Sequence, residues 1–200
     1  MNLKKRLLAA TGVATLVAMT AVSGPAFAAS PPIDGTGTVG CTITGGKASF
    51  NPGLVSGGTA TSEAIKIKIT VTCNSGTGDG ANVASGKISG TLHSNSNDCG
   101  NLLGPTAVTG NLTAKWKVDP HTAKLNPSVT SVSTITGGVD GTGHATFTTT
   151  GPVNSGSFNG KTANGNASTT QTAADLGAAC SSSKGLKKIN IANGGSLNIS

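Results

Sequence analysis

The strongest constraint on the fold is a run of nine residues, 65 to 73, in which apolar and polar side chains alternate without a break. Its odd positions hold isoleucine, valine or cysteine, and its even positions hold lysine or threonine. A period of two places these two sets on opposite faces of a β-strand. The run therefore predicts a strand with one face in a hydrophobic core, and it places Cys73 on that buried face.

Weaker copies of this alternation recur along the chain, separated by segments rich in glycine, asparagine and serine that favour turns. Only 172–180 indicates a helical turn. Charged residues make up 10% of the chain and aromatic residues 2%, which disfavours a coiled coil or a helical bundle. The pattern predicts an all-β protein, an antiparallel β-sandwich of about nine or ten short strands. The expected strands are 39–44, 65–73, 85–92, 111–118, 129–136, 144–150, 153–160, 167–173, 186–192 and 196–199.

The end of the chain carries the clearest turn signal. Asn193 and Gly194 tolerate the positive φ that a tight type I′ turn needs, and an expected strand lies on each side of them. We therefore predict a hairpin formed by 186–192 and 196–199.

The first 28 residues are predicted to be a secretory signal peptide. Three basic residues at 4–6 precede an apolar stretch at 7–22, and Ala26 and Ala28 place small side chains where a signal peptidase cuts. Cleavage is expected after Ala28. The alternative is an uncleaved membrane anchor, which is disfavoured because the apolar stretch is shorter than the ~20 residues that a bilayer requires.

After cleavage, 29–36 form a flexible leader and 37–200 form a single β-sandwich domain, with no further segment apolar enough to span a bilayer. The expected location is the bacterial cell envelope or the extracellular space. The net charge of the whole chain is +7, and the 11 basic residues that remain after cleavage are all lysine. Guanine recognition and base stacking depend on arginine and aromatic rings, so nucleic acid is not expected as a partner.

Four cysteines, Cys41, Cys73, Cys99 and Cys180, form an even set in an exported chain, where disulfides are expected. Sequence alone allows three connectivities. We prefer Cys41–Cys73, because both lie on core faces of early strands, together with Cys99–Cys180, because both lie in turn-rich segments. No close pair of cysteines or histidines has metal-ligand spacing, so neither a metal nor another cofactor is expected.

The histidines give weak signals for an active site. His93 near Asp98 and His121 near Asp119 are the candidates for a general base oriented by a carboxylate. Both pairs lie in loop-like sequence, where a solvated histidine is the commoner outcome. Glu63 is the only glutamate, which excludes a glycosidase built on paired glutamates. We expect no enzyme activity and assign no catalytic residue.

A second candidate site is a basic surface. Lys66 and Lys68 share the outer face of one expected strand, and Lys115 and Lys117 share the outer face of another. If the two strands are neighbours, the four lysines form a face that suits an anionic glycan, a teichoic acid or a lipid headgroup. The favoured alternative is that outward lysines protect the edges of the sheet from aggregation.

The order of features along the chain resembles a known group of proteins. The features are a signal peptide, a Gly-x-x-Gly-Cys segment ending at Cys41, the segment 50–54, Cys73, Cys99, Trp116, the segment 153–160, Cys180 and a terminal glycine-rich turn. This order resembles the small secreted proteins of unknown function from actinobacteria, mycobacteria included. The resemblance implies an immunoglobulin-like β-sandwich over most of 37–200, and it implies no catalytic residue.

The chain also resembles the fimbrial subunits of the chaperone–usher type, which are exported, rich in threonine and glycine, and carry an early disulfide. It departs from them at its end, because those subunits carry a tyrosine near the C-terminus and this chain has no tyrosine. The expected function is a secreted, non-enzymatic binding or structural module, with an anionic cell-wall glycan or another surface protein as its partner. The alternatives are a fimbria-like adhesin subunit and a secreted hydrolase that uses His93 or His121.

Overall fold

The computed structural model describes residues 31–200, and the predicted signal peptide with its cleavage site lies outside the described residues. Within them the chain forms nine β-strands and one α-helix. The strands are β1 (Thr38–Leu54), β2 (Glu63–Thr77), β3 (Val83–Ser94), β4 (Pro105–Val118), β5 (Ser128–Val139), β6 (His144–Ser155), β7 (Thr162–Thr172), β8 (Leu186–Ile191) and β9 (Ser196–Ile199). The helix α1 (Ala173–Cys180) follows β7, and short 3₁₀ turns lie at Gly78–Asn82 and Cys99–Leu103.

The nine strands pair into one antiparallel sheet that closes on itself. From β2 to β7, each strand pairs with the next strand along the chain. β8 and β9 pair with β7 on one side and β1 on the other, and β1 pairs with β2, so the two ends of the strand order meet. Core side chains come from both halves of the sheet. The predicted all-β, antiparallel sandwich is confirmed, and one continuous sheet supplies both of its layers.

The alternation that predicted a strand at 65–73 is kept in β2. Ile65, Val71 and Cys73 are buried, whereas Lys66 and Lys68 are exposed. Because apolar and polar side chains project to opposite faces, the sheet has an apolar interior and a polar outer surface.

The hairpin predicted from Asn193 and Gly194 is wrong. β8 and β9 are not paired with each other, and they lie one after the other between β1 and β7. Between them, the Gly194 amide donates to the Ile43 carbonyl at 2.9 Å, and the Ile43 amide donates to the Gly195 carbonyl at 2.7 Å. β1 is 17 residues long, so a reversal here would leave one edge of its first half unpaired. Continuing alongside β1 pairs those backbone groups.

Both disulfides have the pairing preferred from the sequence. Cys41 and Cys73 lie directly opposite each other on β1 and β2, with their Cα atoms 3.9 Å apart. Cys99, in the second 3₁₀ turn, is joined to Cys180 at the end of α1, with a Cα separation of 6.1 Å. One bridge therefore fixes the pair of strands that closes the sheet, and the other ties together two segments outside the sheet.

The helix α1 begins at a capping box. The Thr172 hydroxyl accepts a hydrogen bond from the Asp175 amide at 3.1 Å, and the Asp175 carboxylate accepts one from the Thr172 amide at 3.1 Å. Leu176 and Cys180 are the buried residues of the helix. The helical turn predicted at 172–180 is confirmed, and its reciprocal cap gives the local reason for it.

One end of the interior, called the packed end below, is closed by the turn between β6 and β7. Phe158 in this turn is 1% exposed, and its ring meets Trp116 edge to face, with centroids 5.8 Å apart. Trp116 Nε1 donates to Ser128 Oγ at 2.7 Å, and this hydroxyl donates to the Ser157 carbonyl at 2.6 Å. The polar atoms buried beside the two rings are therefore hydrogen-bonded.

Part of the segment predicted as a flexible leader lies against the packed end. The Ile33 amide donates to the Lys124 carbonyl at 2.9 Å, and the Phe158 amide donates to the Gly35 carbonyl at 2.8 Å. The Gly35 amide in turn donates to Ser157 Oγ at 3.1 Å. These bonds attach Ile33 to the segment at Lys124 and Gly35 to the turn that carries Phe158.

Candidate ligand-binding site

The other end of the interior, called the cavity end below, contains a cavity of about 160 Å³. Ile67, Ile69, Leu112, Ile135 and Phe147 line it, and each is only partly buried although it packs against the core. Side chains that face a void lack partner atoms on that side. The residual exposure of these inward residues is therefore the mark of the cavity.

Small residues on separate strands create this space. Ala48 of β1 and Ala167 of β7 line the cavity, together with Gly165, which contributes no side chain. A second cavity of about 50 Å³ adjoins the first and shares Ile88 and Leu112 with it. The cavity end thus combines large apolar side chains on some strands with methyl groups or hydrogen atoms on others.

Glu63, the first residue of β2, also lines the cavity and is only 2% exposed. It comes two positions before Ile65, so the alternation of β2 turns both residues to the same inward face. Its Oε1 atom is buried and has no hydrogen-bond partner in the described part of the chain. Burial disfavours the charged carboxylate and raises the pKa of Glu63 to about 7.

The polar groups near Glu63 are already engaged. Ser94 lies directly opposite Glu63 on β3, and its hydroxyl donates to the Ser96 carbonyl at 3.1 Å. The Asp98 carboxylate, which borders the same cavity, accepts from two backbone amides at 3.1 and 3.0 Å. Glu63 therefore carries an acceptor that no group in residues 31–200 satisfies.

Sequence reasoning used Glu63 only to exclude a glycosidase and missed its position in the interior. The signal was present, because position 63 is in phase with the apolar positions 65, 67, 69 and 71. A glutamate that extends an inward apolar series is a buried carboxyl whenever the strand begins early enough to include it.

The four lysines of the predicted basic surface lie on β2 and β4, which are not neighbours, because β3 lies between them. β3 adds Lys87, directly opposite Lys115, and β1 adds Lys47, directly opposite Lys68. The outward set, called the lysine face below, is Lys47, Lys66, Lys68, Lys87, Lys115 and Lys117, and all six are exposed. No acidic residue occupies an outward position on β1–β4.

The histidines predicted as candidate bases are not joined to their carboxylates within the described residues. His93 is exposed on β3, while the Asp98 carboxylate accepts the backbone amides that shape the nearby turn. Asp119 Oδ1 accepts from the backbone amide of His121 at 2.9 Å, and the imidazole is not involved. Both carboxylates thus stabilise turns.

A third histidine, His144, has a buried Nδ1 atom without a hydrogen-bond partner among the described residues. Hydrogen bonds from Thr142, with a smaller effect of the His144 charge, lower the pKa of Asp140. Hydrogen bonds from Thr172, again with a smaller effect of His144, lower the pKa of Asp175. These two carboxylates form a turn and a helix cap beside the imidazole.

Among residues 31–200, no three His, Cys, Asp or Glu side chains come together in a way that could hold a metal ion. Over the same residues, no helix has the length and apolarity to cross a bilayer.

Comparison with known proteins gives no relative. No protein-family model matches the chain, no curated protein matches it, and no solved structure matches it. The cavity, Glu63 and the lysine face are therefore the features from which a function can be argued.

Proposed function

We propose that this chain is an exported, non-enzymatic binding protein that holds a small apolar ligand inside its closed sheet. The observation that carries the proposal is the cavity of about 160 Å³ with its apolar wall. The two disulfides suit an oxidising compartment and agree with the predicted export signal.

The size of the cavity sets the expected affinity. Enclosed core cavities cost stability at ~24 cal/mol per Å³, so an unfilled cavity of about 160 Å³ costs at most ~4 kcal/mol. A hydrocarbon that restored all of the lost contacts would bind with a Kd of about 1 mM. An apolar cavity of about 150 Å³ is known to accept benzene, which fixes the scale of the ligand.

The experiment is a titration of the isotopically labelled protein with toluene, followed by NMR. We expect saturable shifts at Ile67, Ile135 and Phe147, with a Kd of about 1 mM. Ile67→Phe fills the cavity and is expected to abolish the shifts. Ser89→Phe places the same side chain on the outer face and serves as the matched control. Shifts that are absent in the wild type, or that persist unchanged in the filled variant, would refute the proposal.

The lysine face supports a second candidate function, the binding of an anionic polymer such as a cell-wall glycan. Like charges directly opposite each other in a sheet are destabilising, yet Lys87 faces Lys115 and Lys47 faces Lys68. Protection of a sheet edge does not account for them, because β1–β4 each have a paired strand on both sides. A surface with lysines and no acidic residue attracts anions, which supports this second candidate.

This second function is tested with a sulfated polysaccharide on a solid support. We expect retention of the wild type at low salt, with loss in about 0.5 M salt as the charges are screened. A double variant, Lys87→Gln with Lys115→Gln, is expected to elute earlier than one with Lys184→Gln and Lys187→Gln, which carries the same net charge. Equal elution of the two variants would show that retention reflects net charge alone.

The remaining expectations are part of the same proposal. They are secretion after cleavage at Ala28, an immunoglobulin-like relationship, and membership of the actinobacterial group that the chain resembles. A fimbria-like subunit is the first alternative, and a polymer detected by light scattering would favour it over a monomeric binding protein. A hydrolase using His93 or His121 is the second, and turnover abolished by His93→Ala or His121→Ala would favour it.

A further inference from the structure

We propose that the ligand of the cavity is a small hydrophobic amine, whose ammonium group binds Glu63 while its hydrocarbon body fills the apolar space. This inference rests on the proposed function, because it names the ligand class of the same cavity. Three observations carry it: the unpartnered oxygen of Glu63, the charges that border the cavity, and the size of the apolar space.

The first observation is the missing donor. Glu63 Oε1 is buried and has no hydrogen-bond partner in residues 31–200, and the side chain is 2% exposed. A buried acceptor left unsatisfied carries the full cost of its desolvation, and this cost is larger when the group is charged. The adjacent hydroxyl of Ser94 already donates to a carbonyl, so it does not relieve this cost. A ligand that brings its own donor does.

The second observation decides the charge of that donor. In the described part of the chain, the charged residues that border the cavity are Glu63, Asp98 and Lys47. Lys47 is exposed and belongs to the lysine face, and Asp98 is held by backbone amides. An ammonium group at Glu63 therefore meets a carboxylate that has no cationic partner among residues 31–200. A carboxylate ligand would place two acidic groups together in an apolar setting, which is unfavourable.

An ammonium is also the stronger choice among donors. Charge-assisted hydrogen bonds are roughly twice as strong as neutral ones, and the low dielectric of a buried site strengthens them further. A neutral alcohol would satisfy Oε1 without compensating its charge. The geometry thus favours an amine over an alcohol, and an alcohol over a hydrocarbon.

The third observation limits the body of the ligand. Ile67, Ile69 and Ile135 form a wall that excludes further polar groups, so the amine is expected to be the only polar group of the ligand. The cavity of about 160 Å³ accepts a ring or a short branched chain of roughly benzene size. A long acyl chain does not fit this volume. Simple aralkylamines and cycloalkylamines meet both conditions.

The test compares four probes that share one ring: toluene, benzyl alcohol, benzylamine and benzoate. Each is titrated into the purified chain by calorimetry at about pH 8, where benzylamine is cationic and Glu63 is mostly ionised. We expect benzylamine to bind at least tenfold more tightly than toluene, benzyl alcohol to lie between them, and benzoate to bind most weakly. Glu63→Gln keeps the shape of the side chain and is expected to reduce the preference for the amine to less than about twofold.

A second readout does not depend on the variant. Glu63 is the only glutamate in the chain, so ¹³C-labelled glutamate gives one side-chain carboxyl resonance. Benzylamine is expected to shift that resonance, and toluene is expected to move it far less. If Glu63→Gln fails to fold, this signal in the wild type decides the question.

The outcomes separate the two proposals. Equal binding of toluene and benzylamine, or a preference for the amine that survives in Glu63→Gln, overturns the amine inference and leaves the apolar cavity as the ligand site. Failure of toluene to bind overturns the proposed function, and the amine inference that rests on it. An amine preference that disappears with the carboxylate supports both.

Discussion

The two ends of the interior are built from the same sheet but differ in how completely they are packed. At the packed end, Phe158 and Trp116 fill the space, and their polar neighbours Ser128 and Ser157 complete a chain of hydrogen bonds. At the cavity end, apolar side chains surround about 160 Å³ of space, and the buried Glu63 Oε1 has no hydrogen-bond partner within residues 31–200. One end therefore stabilises the fold, while the other gives up stability.

The difference in packing between the two ends indicates which end of the sheet is the functional one. A chain with one tryptophan and four phenylalanines has little aromatic volume to distribute. Trp116 and Phe158 pack against each other at the packed end, whereas Phe50 and Phe147 border the cavity. Natural proteins depart from complete packing and polar satisfaction chiefly at functional sites, and the cavity end departs from both.

The largest expected effect tests the contrast directly. Phe158→Ala removes a ring that is 1% exposed and is expected to cost about 3–5 kcal/mol of the free energy of unfolding. Phe147→Ala at the cavity end removes a partly buried ring that already borders a void, so we expect about half that loss. Urea denaturation of both variants measures the pair. Equal losses would mean that the two ends are packed alike.

The second prediction compares the two disulfides, because only one of them lies beside the cavity. Replacing either cystine with two serines should cost about 2–4 kcal/mol through the entropy of the unfolded chain. Cys41→Ser with Cys73→Ser changes the strand pair β1–β2, whereas Cys99→Ser with Cys180→Ser releases the 3₁₀ turn that borders the cavity. We expect the second pair alone to weaken toluene binding at a temperature where both variants are folded. Equal weakening in both variants would contradict a local role for the second bridge.

A third prediction concerns the pH dependence of stability. The pKa of Glu63 is raised from 4.5 to about 7 on folding, so the protonated form is favoured in the folded state. The stability linked to this group is fully present below about pH 4.5 and is lost as the pH rises through about 7, with a change on the order of 3 kcal/mol.

The measurement is the melting temperature of the wild type and of Glu63→Gln at intervals between pH 4 and 8. The wild type should lose stability across this range relative to the variant, which has no titrating group at position 63. Titration of the single ¹³C-glutamate resonance gives the pKa itself. A resonance that titrates near 4.5 would show that the carboxyl group is solvated, and it would remove the contrast between the ends.

The features that depend on local sequence were predictable. The alternation at 65–73 predicted the strand and the burial of Cys73, and the segment 172–180 predicted the helical turn. Both are decided by neighbours within a few residues, through strand periodicity and helix capping. The preferred cysteine pairing is also the pairing observed. It was preferred because one pair lies on core faces of strands and the other pair lies in turn-rich segments.

The features that depend on distant pairing were not predictable. Closure of the sheet requires β1 to pair with β2 on one side and with β8 and β9 on the other, and no local pattern encodes those partners. For the same reason the turn signal at Asn193 predicted a hairpin where the chain continues alongside β1. The cavity was not predictable because its shape depends on side chains from many strands. The burial of Glu63 was missed because the predicted strand began at residue 65.

The last prediction tests whether the difference between the packed end and the cavity end extends to the outer surface of the sheet. Lys87 faces Lys115 near the packed end, beside Trp116, and Lys47 faces Lys68 beside the cavity residues Ile67 and Ile69. Removing one member of each pair relieves like-charge repulsion, so Lys87→Gln and Lys68→Gln should each stabilise the fold by about 0.2–0.5 kcal/mol at low salt.

High-precision melting curves at low salt and at about 1 M salt give the answer, because screening should abolish both gains. Lys124→Gln, which changes an exposed lysine outside the strands, is the matched control and should leave the melting temperature unchanged. Equal increases in stability at the two lysine pairs would mean that the two ends differ only in the interior, because the outer face then responds in the same way at both ends. A rise in melting temperature for Lys87→Gln but not for Lys68→Gln would instead mean that β1 and β2 already relieve the repulsion between Lys47 and Lys68 by a change in their own structure. The sheet would then be more deformable beside the cavity, where the ligand is proposed to bind.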